Sequence, residues 1–404
     1  MITISQLDNG VTIATSASSH RQTACVGLWL KNGARNQSDT QTGYAHFLEH
    51  LVFKETTRHT GRQLAEQFEA MGGEINAETG RELTSFHGTV PSRFCSEILQ
   101  LFIEMLTRAA FDENDFRLER DVVLQELAML RDDPEEALED FGTEQVWPRQ
   151  PMGRQILGDL ESLANSSKEI LYDYLDSVLI PENIMIVATG KIDHEQILRD
   201  CKPLQDITSR QQPGCAAPRF IQTQSHLDID AGQRHLLWVM PAVPCSHRQQ
   251  PACDIASYIL AGGYDSYLYQ ALREETGLVY SVDSRVDHYS DAGLWFIQTN
   301  TDSEHADKVT QTVVTIMDKL VSKGPDKNDL DKARKHLQSS LVLEQDDLES
   351  EMDRLARDLF YSGRIITLDE KLRQFEQVTP EDIRNIVLPA WGRVSHFTAG
   401  PASR

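Results

Sequence analysis

Apolar runs separated by polar, glycine-bearing turns divide the chain into elements. Ile2, Ile4 and Leu7 lead through Asp8-Asn9-Gly10 to Val11-Thr12-Ile13, the alternation and turn chemistry of a β-hairpin. Cys25-Val26-Gly27-Leu28-Trp29-Leu30 reads as a strand, and after a polar loop through residue 43 a helical segment begins at Tyr44. Three further stripes carry helical spacing. They are Leu64, Phe68 and Met71, stopped by Gly72-Gly73; Ile98, Leu101, Phe102 and Met105; and Val122, Val123, Leu127 and Leu130. Between the first two of these stripes, Glu74 to Val90 is rich in threonine and broken by glycine, the pattern of a second hairpin.

The pattern then repeats. Residues 201–220 hold three prolines and few aliphatic side chains, which marks an interdomain linker. Beyond it, His235-Leu236-Leu237-Trp238-Val239-Met240 matches the early strand with its tryptophan, and a long helical pattern starts near Gln250. Ser166 to Ile170 lead to Pro181 and a strand ending in Gly190; Thr379 to Ile383 lead to Pro389 and a strand ending in Gly400, an offset of 213 at the helix starts. A period that long predicts duplication of one domain rather than a solenoid. The expected fold is α+β: two homologous α/β-sandwich domains, each a mainly antiparallel sheet with helices packed on it. Their expected bounds are 1–200 and 221–404.

Composition agrees with a two-domain globular chain, at about 100–200 residues per domain. The formal net charge of −23 across 404 residues repels phosphate backbones and anionic lipid, which argues against nucleic acid and membrane partners and favours a basic ligand. No apolar stretch approaches the roughly 20 residues of a membrane span, and the first residues lack a basic segment followed by an apolar one, so the expected location is cytoplasmic. The six cysteines form no C-x-x-C pair, which excludes a zinc ribbon or a disulfide framework.

The chemistry concentrates in His46-Phe47-Leu48-Glu49-His50. On a helix, positions three and four apart share a face, so His46, Glu49 and His50 converge. Two imidazoles at that spacing suit a tetrahedral Zn²⁺, whose catalytic sites take three protein ligands and leave one place for water; the neighbouring carboxylate accepts that water's proton. H-x-x-E-H is the inverted zinc-peptidase signature. A carboxylate from a second helix is the usual third ligand, and Glu119 and Glu126, seven residues apart on one helical face, both qualify; spacing does not choose between them. The acidic run Arg131 to Glu136 reads as a solvated helix start at Pro134.

These segments, together with Met71 to Thr79 and the later Leu272-Arg273-Glu274-Glu275-Thr276-Gly277-Leu278-Val279-Tyr280-Ser281-Val282 run, resemble the pitrilysin, insulysin and mitochondrial processing peptidase family of zinc metallopeptidases over nearly the whole chain. The resemblance implies that Glu126 is the third zinc ligand, Glu119 a support behind the site and Glu49 the general base. It further implies that the Asn76-Ala77 strand edge pairs with an extended substrate, and that Arg273 and Tyr280 reach the cleavage site from an opposing wall. The second half lacks H-x-x-E-H, so one zinc per chain is expected. Family members enclose a chamber between four such domains, so a chain with two is half of a clamshell and a dimer is expected, a homodimer ahead of a heterodimer. The implied activity is endopeptidase cleavage of unstructured peptides or leader sequences. The alternatives are a dedicated maturation protease needing a partner subunit and a non-catalytic scaffold. Two departures from the family pattern bear on pocket shape: Lys54 is followed by Glu55 where glycine is common, and His87 follows Phe86 where aromatic pairs are frequent.

Overall fold

The computed structural model describes residues 2–210 and 214–401, so residues 211–213 of the expected linker lie outside the described residues. The first sheet comprises β1 (Ile2–Gln6), β2 (Thr12–Ala17), β3 (Thr23–Leu30), β4 (Glu74–Thr79), β5 (Thr84–Pro91) and β6 (Ile184–Gly190), in the order β1-β2-β6-β3-β5-β4. The second comprises β7 (Gln224–Asp228), β8 (Arg234–Ala242), β9 (Val282–His288), β10 (Gly293–Thr301) and β11 (Ser395–Gly400), in the order β7-β11-β8-β10-β9. In each sheet one pair is parallel, β2 with β6 and β7 with β11, and the other neighbours are antiparallel. With β1 set aside, the two sheets have the same topology, and the chain is a duplicated mixed α/β fold.

The helical stripes fall on α1 (Tyr44–Val52), α2 (Gly61–Met71), α3 (Cys95–Thr107) and α4 (Glu113–Asp132), followed by α5 (Pro134–Val146). One stripe is placed differently from its expectation. On α4 the buried positions are Phe116, Glu119, Val123 and Leu127, while Val122 is exposed, because the face that packs inward is centred a step away from it. The acidic run before α5 is a helix cap: Asp133 Oδ1 accepts from the amides of Glu135 at 2.9 Å and Glu136 at 3.2 Å, with Pro134 in the first turn. Ser167 and Thr379 likewise cap the helices Lys168–Val178 and Pro380–Trp391. The two prolines matched in the sequence are not equivalent, since Pro181 follows the first of these helices and Pro389 lies inside the second.

Both sheets are apolar on both faces. Along β3, Ala24, Val26, Leu28 and Leu30 join the main core with α1, α2 and α3, while Cys25 and Trp29 face the opposite way. That second face is covered by the helix Leu348–Ser362, through Leu348, Met352, Leu355, Ala356 and Leu359. In the second sheet, Leu236, Trp238 and Met240 face one core, and Leu237 and Val239 the other, which α5 closes with Leu138 and Val146. Helices are thus exchanged between the halves of the sequence. The two compact units are Met1–Ala128 with Arg154–Ala216 and Glu344–Ile365, and Met129–Gly153 with Ala217–Leu343 and Ile366–Arg404. These differ from the contiguous stretches 1–200 and 221–404 by one helix each way, because a strand that is apolar on both sides needs a second cover. Among the described residues no helix is long and apolar enough to cross a membrane, and all six cysteines are free.

In the second unit, His288 has both ring nitrogens against acceptors: Nδ1 lies 2.7 Å from the Val243 carbonyl oxygen and Nε2 3.1 Å from Asp254 Oδ1. Burial opposes the charge, but Asp254 and the carbonyl outweigh it and hold His288 above the ordinary histidine pKa. Because the folded value is raised, this stabilisation is complete below the unfolded histidine value of about 6.5 and is lost as pH rises through the folded one. Urea unfolding of His288→Gln across pH 5 to 9 should therefore show a flatter profile than wild type over that window; parallel profiles would remove the assignment.

The helix exchange makes a second prediction. Leu355 is fully buried, and Leu355→Ala should cost about 2–5 kcal/mol. Although Leu355 lies in the second half of the sequence, faster hydrogen exchange should appear in β3 and β6; protection lost in β8 and β10 instead would contradict the packing.

Candidate metal centre

The site is built on α1 and α4. Gly43 starts α1 with φ +88°, and a Cβ there would sit 2.6 Å from the Leu157 carbonyl oxygen, so the helix can begin here only with glycine. Its amide donates to Gln37 Oε1 at 2.8 Å. From that start Tyr44, Ala45, Phe47, Leu48, Leu51 and Val52 are buried, which turns His46, Glu49 and His50 to the opposite face. Two turns of α4 bring Glu119 and Glu126 against that face.

Glu126 Oε2 lies 3.4 Å from His50 Nε2 and 3.8 Å from His46 Nε2. One atom from each of the three residues falls within 4.8 Å of the others, and no other such group occurs among the described residues. Donors bound tetrahedrally to one ion at about 2.0–2.2 Å lie about 3.3–3.6 Å apart. The triangle is therefore close to the size a zinc ion requires, and two nitrogens with one carboxylate oxygen are donors zinc accepts. Burial first, and then the neighbouring His50, pushes the His46 pKa down to about 4, so at neutral pH its nitrogen is free to ligate.

The remaining residues take distinct places. Glu119 Oε2 lies 3.2 Å from His50 Nδ1, the nitrogen on the side away from Glu126. Spacing left Glu119 and Glu126 equivalent; the structure sets Glu126 among the three donors and Glu119 behind one of them. Glu49 stands beside the triangle and accepts a hydrogen bond from Thr79 Oγ1 at the end of β4. Burial raises the Glu49 pKa above the ordinary carboxylate range by more than the Thr79 hydroxyl and His50 lower it. Asn76 and Ala77 lie in β4, which among the described residues pairs only with β5 and ends the sheet, leaving one edge without a strand partner there. Ser85 and Glu349 hold the buried His87 by its two ring nitrogens.

Arg273 and Tyr280 meet each other in the second unit, the guanidinium 5.3 Å from the centre of the phenol ring. Arg273 lies in a π-helical turn, Gln270–Glu274, where the Glu275 amide reaches back to the Gln270 carbonyl at 2.9 Å. Tyr280 is 79% exposed. Sequence reasoning missed two contacts at the centre, the Thr79 hydroxyl on Glu49 and the ion pair of Lys54 with Glu119. Thr79 belonged to a segment already singled out, and Lys54 is one helical turn beyond His50, so spacing offered a signal for both.

Comparison with known proteins agrees with this arrangement. The family model Insulinase (Peptidase family M16) matches residues 12–160, and the model Peptidase M16 inactive domain matches residues 165–337. The chain belongs to the M16 family of peptidases. A Rickettsia felis protein named as an uncharacterised zinc protease is 27% identical over 384 residues, covering 95% of this chain and 93% of its own. One of the same description from Bacillus subtilis is 26% identical over 379 residues, covering 94% and 93%. The fold is shared with the crystal structure of a protease from Helicobacter pylori, at a TM-score of 0.93, 18% identity and 99% of each chain. It is also shared with a Pseudomonas fluorescens structure described as a peptidase M16 inactive domain, at a TM-score of 0.90, 16% identity, and 100% of this chain and 98% of that one.

Removing the third donor tests the centre directly. Glu126→Ala should lower the zinc content of purified protein to well below one per chain while leaving the fold intact by circular dichroism; unchanged metal content would assign the third ligand elsewhere.

Proposed function

We propose that this chain is a zinc-dependent endopeptidase that hydrolyses unstructured peptides. The observation that carries the reading is one conjunction: the His46, His50 and Glu126 donors, the Glu49 carboxylate beside them, and a free strand edge ending at the hydroxyl that holds Glu49. The chemistry that zinc supplies when held by these donors is Lewis acidity toward water and toward the scissile carbonyl.

Glu49 acts as the general base. Thr79 occupies its Oε2, which leaves Oε1 to take the proton of the attacking water and pass it to the departing amine. An extended peptide adds to β4 as a further strand, so that Asn76 and Ala77 bind its backbone and hold it in register with Glu49. Strand addition requires an unfolded segment, which limits the substrate to unstructured peptides, leader sequences included. The charge of −23 favours basic ones.

Arg273 and Tyr280 are assigned to the opposing wall of the chamber, where a cation and a phenol hold substrate carbonyls and steady the developing oxyanion. The two-domain chain then works as a homodimer, each centre completed by Arg273 and Tyr280 of the second copy. The intact donor set weighs against a purely structural subunit, because a scaffold needs neither a general base nor a metal triangle. Solvent-exposed cytoplasmic peptides are the expected pool.

The test is cleavage of an unstructured basic peptide of about thirty residues, with products read by mass spectrometry. Wild type should cut it, and Glu49→Gln should keep its zinc while losing roughly 10²–10⁴ in kcat. Equal turnover by the two proteins would end the assignment of Glu49, and rapid degradation of a stably folded domain would contradict strand addition.

A further inference from the structure

We infer that Lys54 is a positioning residue of the metal centre, acting through Glu119 to fix the ring of His50 and to balance the charge around the ion. The inference rests on the zinc reading above but makes a separate demand of it. Lys54 Nζ lies 2.7 Å from Glu119 Oε1, and the other oxygen of the same carboxylate lies 3.2 Å from His50 Nδ1. Glu119 is thus held at both oxygens, by a cation on one side and an imidazole on the other.

The arrangement has a chemical consequence. For His50 Nε2 to offer a lone pair beside Glu126, the ring proton must sit on Nδ1, and an ionised carboxylate facing Nδ1 selects that tautomer and that ring orientation. Glu119 is largely buried, at 9% exposure. Its second oxygen meets the Lys54 ammonium at 2.7 Å, so this largely buried carboxylate has a cation as its partner. The other histidine has no such support: His46 Nδ1 is buried and without a hydrogen-bond partner among the described residues. Orientation of the donor set therefore depends on the one ring that Lys54 and Glu119 hold.

Charge gives a second, independent reason. Glu49, Glu119 and Glu126 gather three carboxylates at the centre, and Lys54 is the one lysine or arginine in ion-pair contact with any of them among the described residues.

The chain also fixes where Lys54 can go. Its amide donates to the Leu51 carbonyl at 3.0 Å at the end of α1. Its own carbonyl oxygen would lie 2.2 Å from a Cβ at Gly61, so the return of the chain past Lys54 requires glycine there. The intervening loop is closed by the Glu55–Thr60 bridge and tied to α3 by Thr56 Oγ1, which donates to Glu104 Oε1 at 2.6 Å. The Glu55 that replaces the commoner glycine is thus part of the loop that presents Lys54.

Zinc affinity of the full chain, measured by competition with a chromophoric chelator and without any peptide, tests this. Lys54→Met should weaken zinc binding about 10–100-fold, and Lys54→Arg should restore it to within a few-fold. Glu119→Gln should weaken it similarly, and the double variant Lys54→Met/Glu119→Gln should be no weaker than Glu119→Gln alone. Lys54 is only half-buried, with 39% of its side chain in solvent, so the thermal unfolding midpoint of the metal-free variants should stay at the wild-type value. Wild-type affinity in Lys54→Met would overturn the inference, as would additive losses in the double variant. Zinc bound normally by a wild type that cuts no peptide would instead sink the peptidase reading and leave this one standing.

Discussion

Each sheet of this protein has to be covered twice, and most of the architecture follows from that requirement. β3 sends Val26 and Leu28 one way and Cys25 and Trp29 the other, all with less than 4% exposure. At about 25 cal/mol per Å² of apolar surface removed from water, leaving either face bare would be costly in a fold whose net stability is only about 5–15 kcal/mol. Helices α1 to α3 close one side of the first sheet, and Leu348–Ser362 closes the other. Because the first side is also where α1 packs, the rows of buried residues that stabilise the sheet are the same rows that aim His46, Glu49 and His50 outward.

The centre shows how a duplicated fold carries chemistry in one copy. Both units have a sheet of the same topology, yet among the described residues the donor triangle occurs only where α1 presents two histidines and α4 a glutamate at matching height. The requirements are few: a left-handed glycine to begin α1, an apolar face to seat it, and a partner helix crossing at donor distance. The second unit keeps the scaffold and offers instead a π-helical turn whose Arg273 lies over the ring of the exposed Tyr280.

Much of this was legible in the sequence because local rules carry it. Continuous apolar runs marked β3 and β8, capping residues marked the helices that precede β6 and β11, and i, i+3, i+4 spacing put His46, Glu49 and His50 on one face. Other features depend on tertiary contacts that no local rule contains. The apolar stripe of Leu348–Ser362 has the same period whichever sheet it covers, so sequence order does not show that it packs on the first. Val122 counted as core because a stripe shows which residues share a face but not which edge of that face points inward. The choice between Glu119 and Glu126 needed the crossing of α1 and α4. Thr79 and Lys54 stood in segments already singled out, but a threonine at a strand end and a lysine one turn past a histidine gain their roles only from the partners that the fold brings to them.

The exchanged helices also impose an order on biosynthesis. The last strand of the first sheet is complete at Gly190, but the helix that seals its outer face ends at Ser362. Translation at roughly 5–20 residues per second leaves Cys25, Trp29, Met185 and Val187 waiting on the order of ten to thirty seconds for their cover. During that interval the half-built protein displays a sticky apolar sheet to the cell. That apolar face is thus bare well before the chain is complete, and any pause in translation between these two points prolongs the exposure.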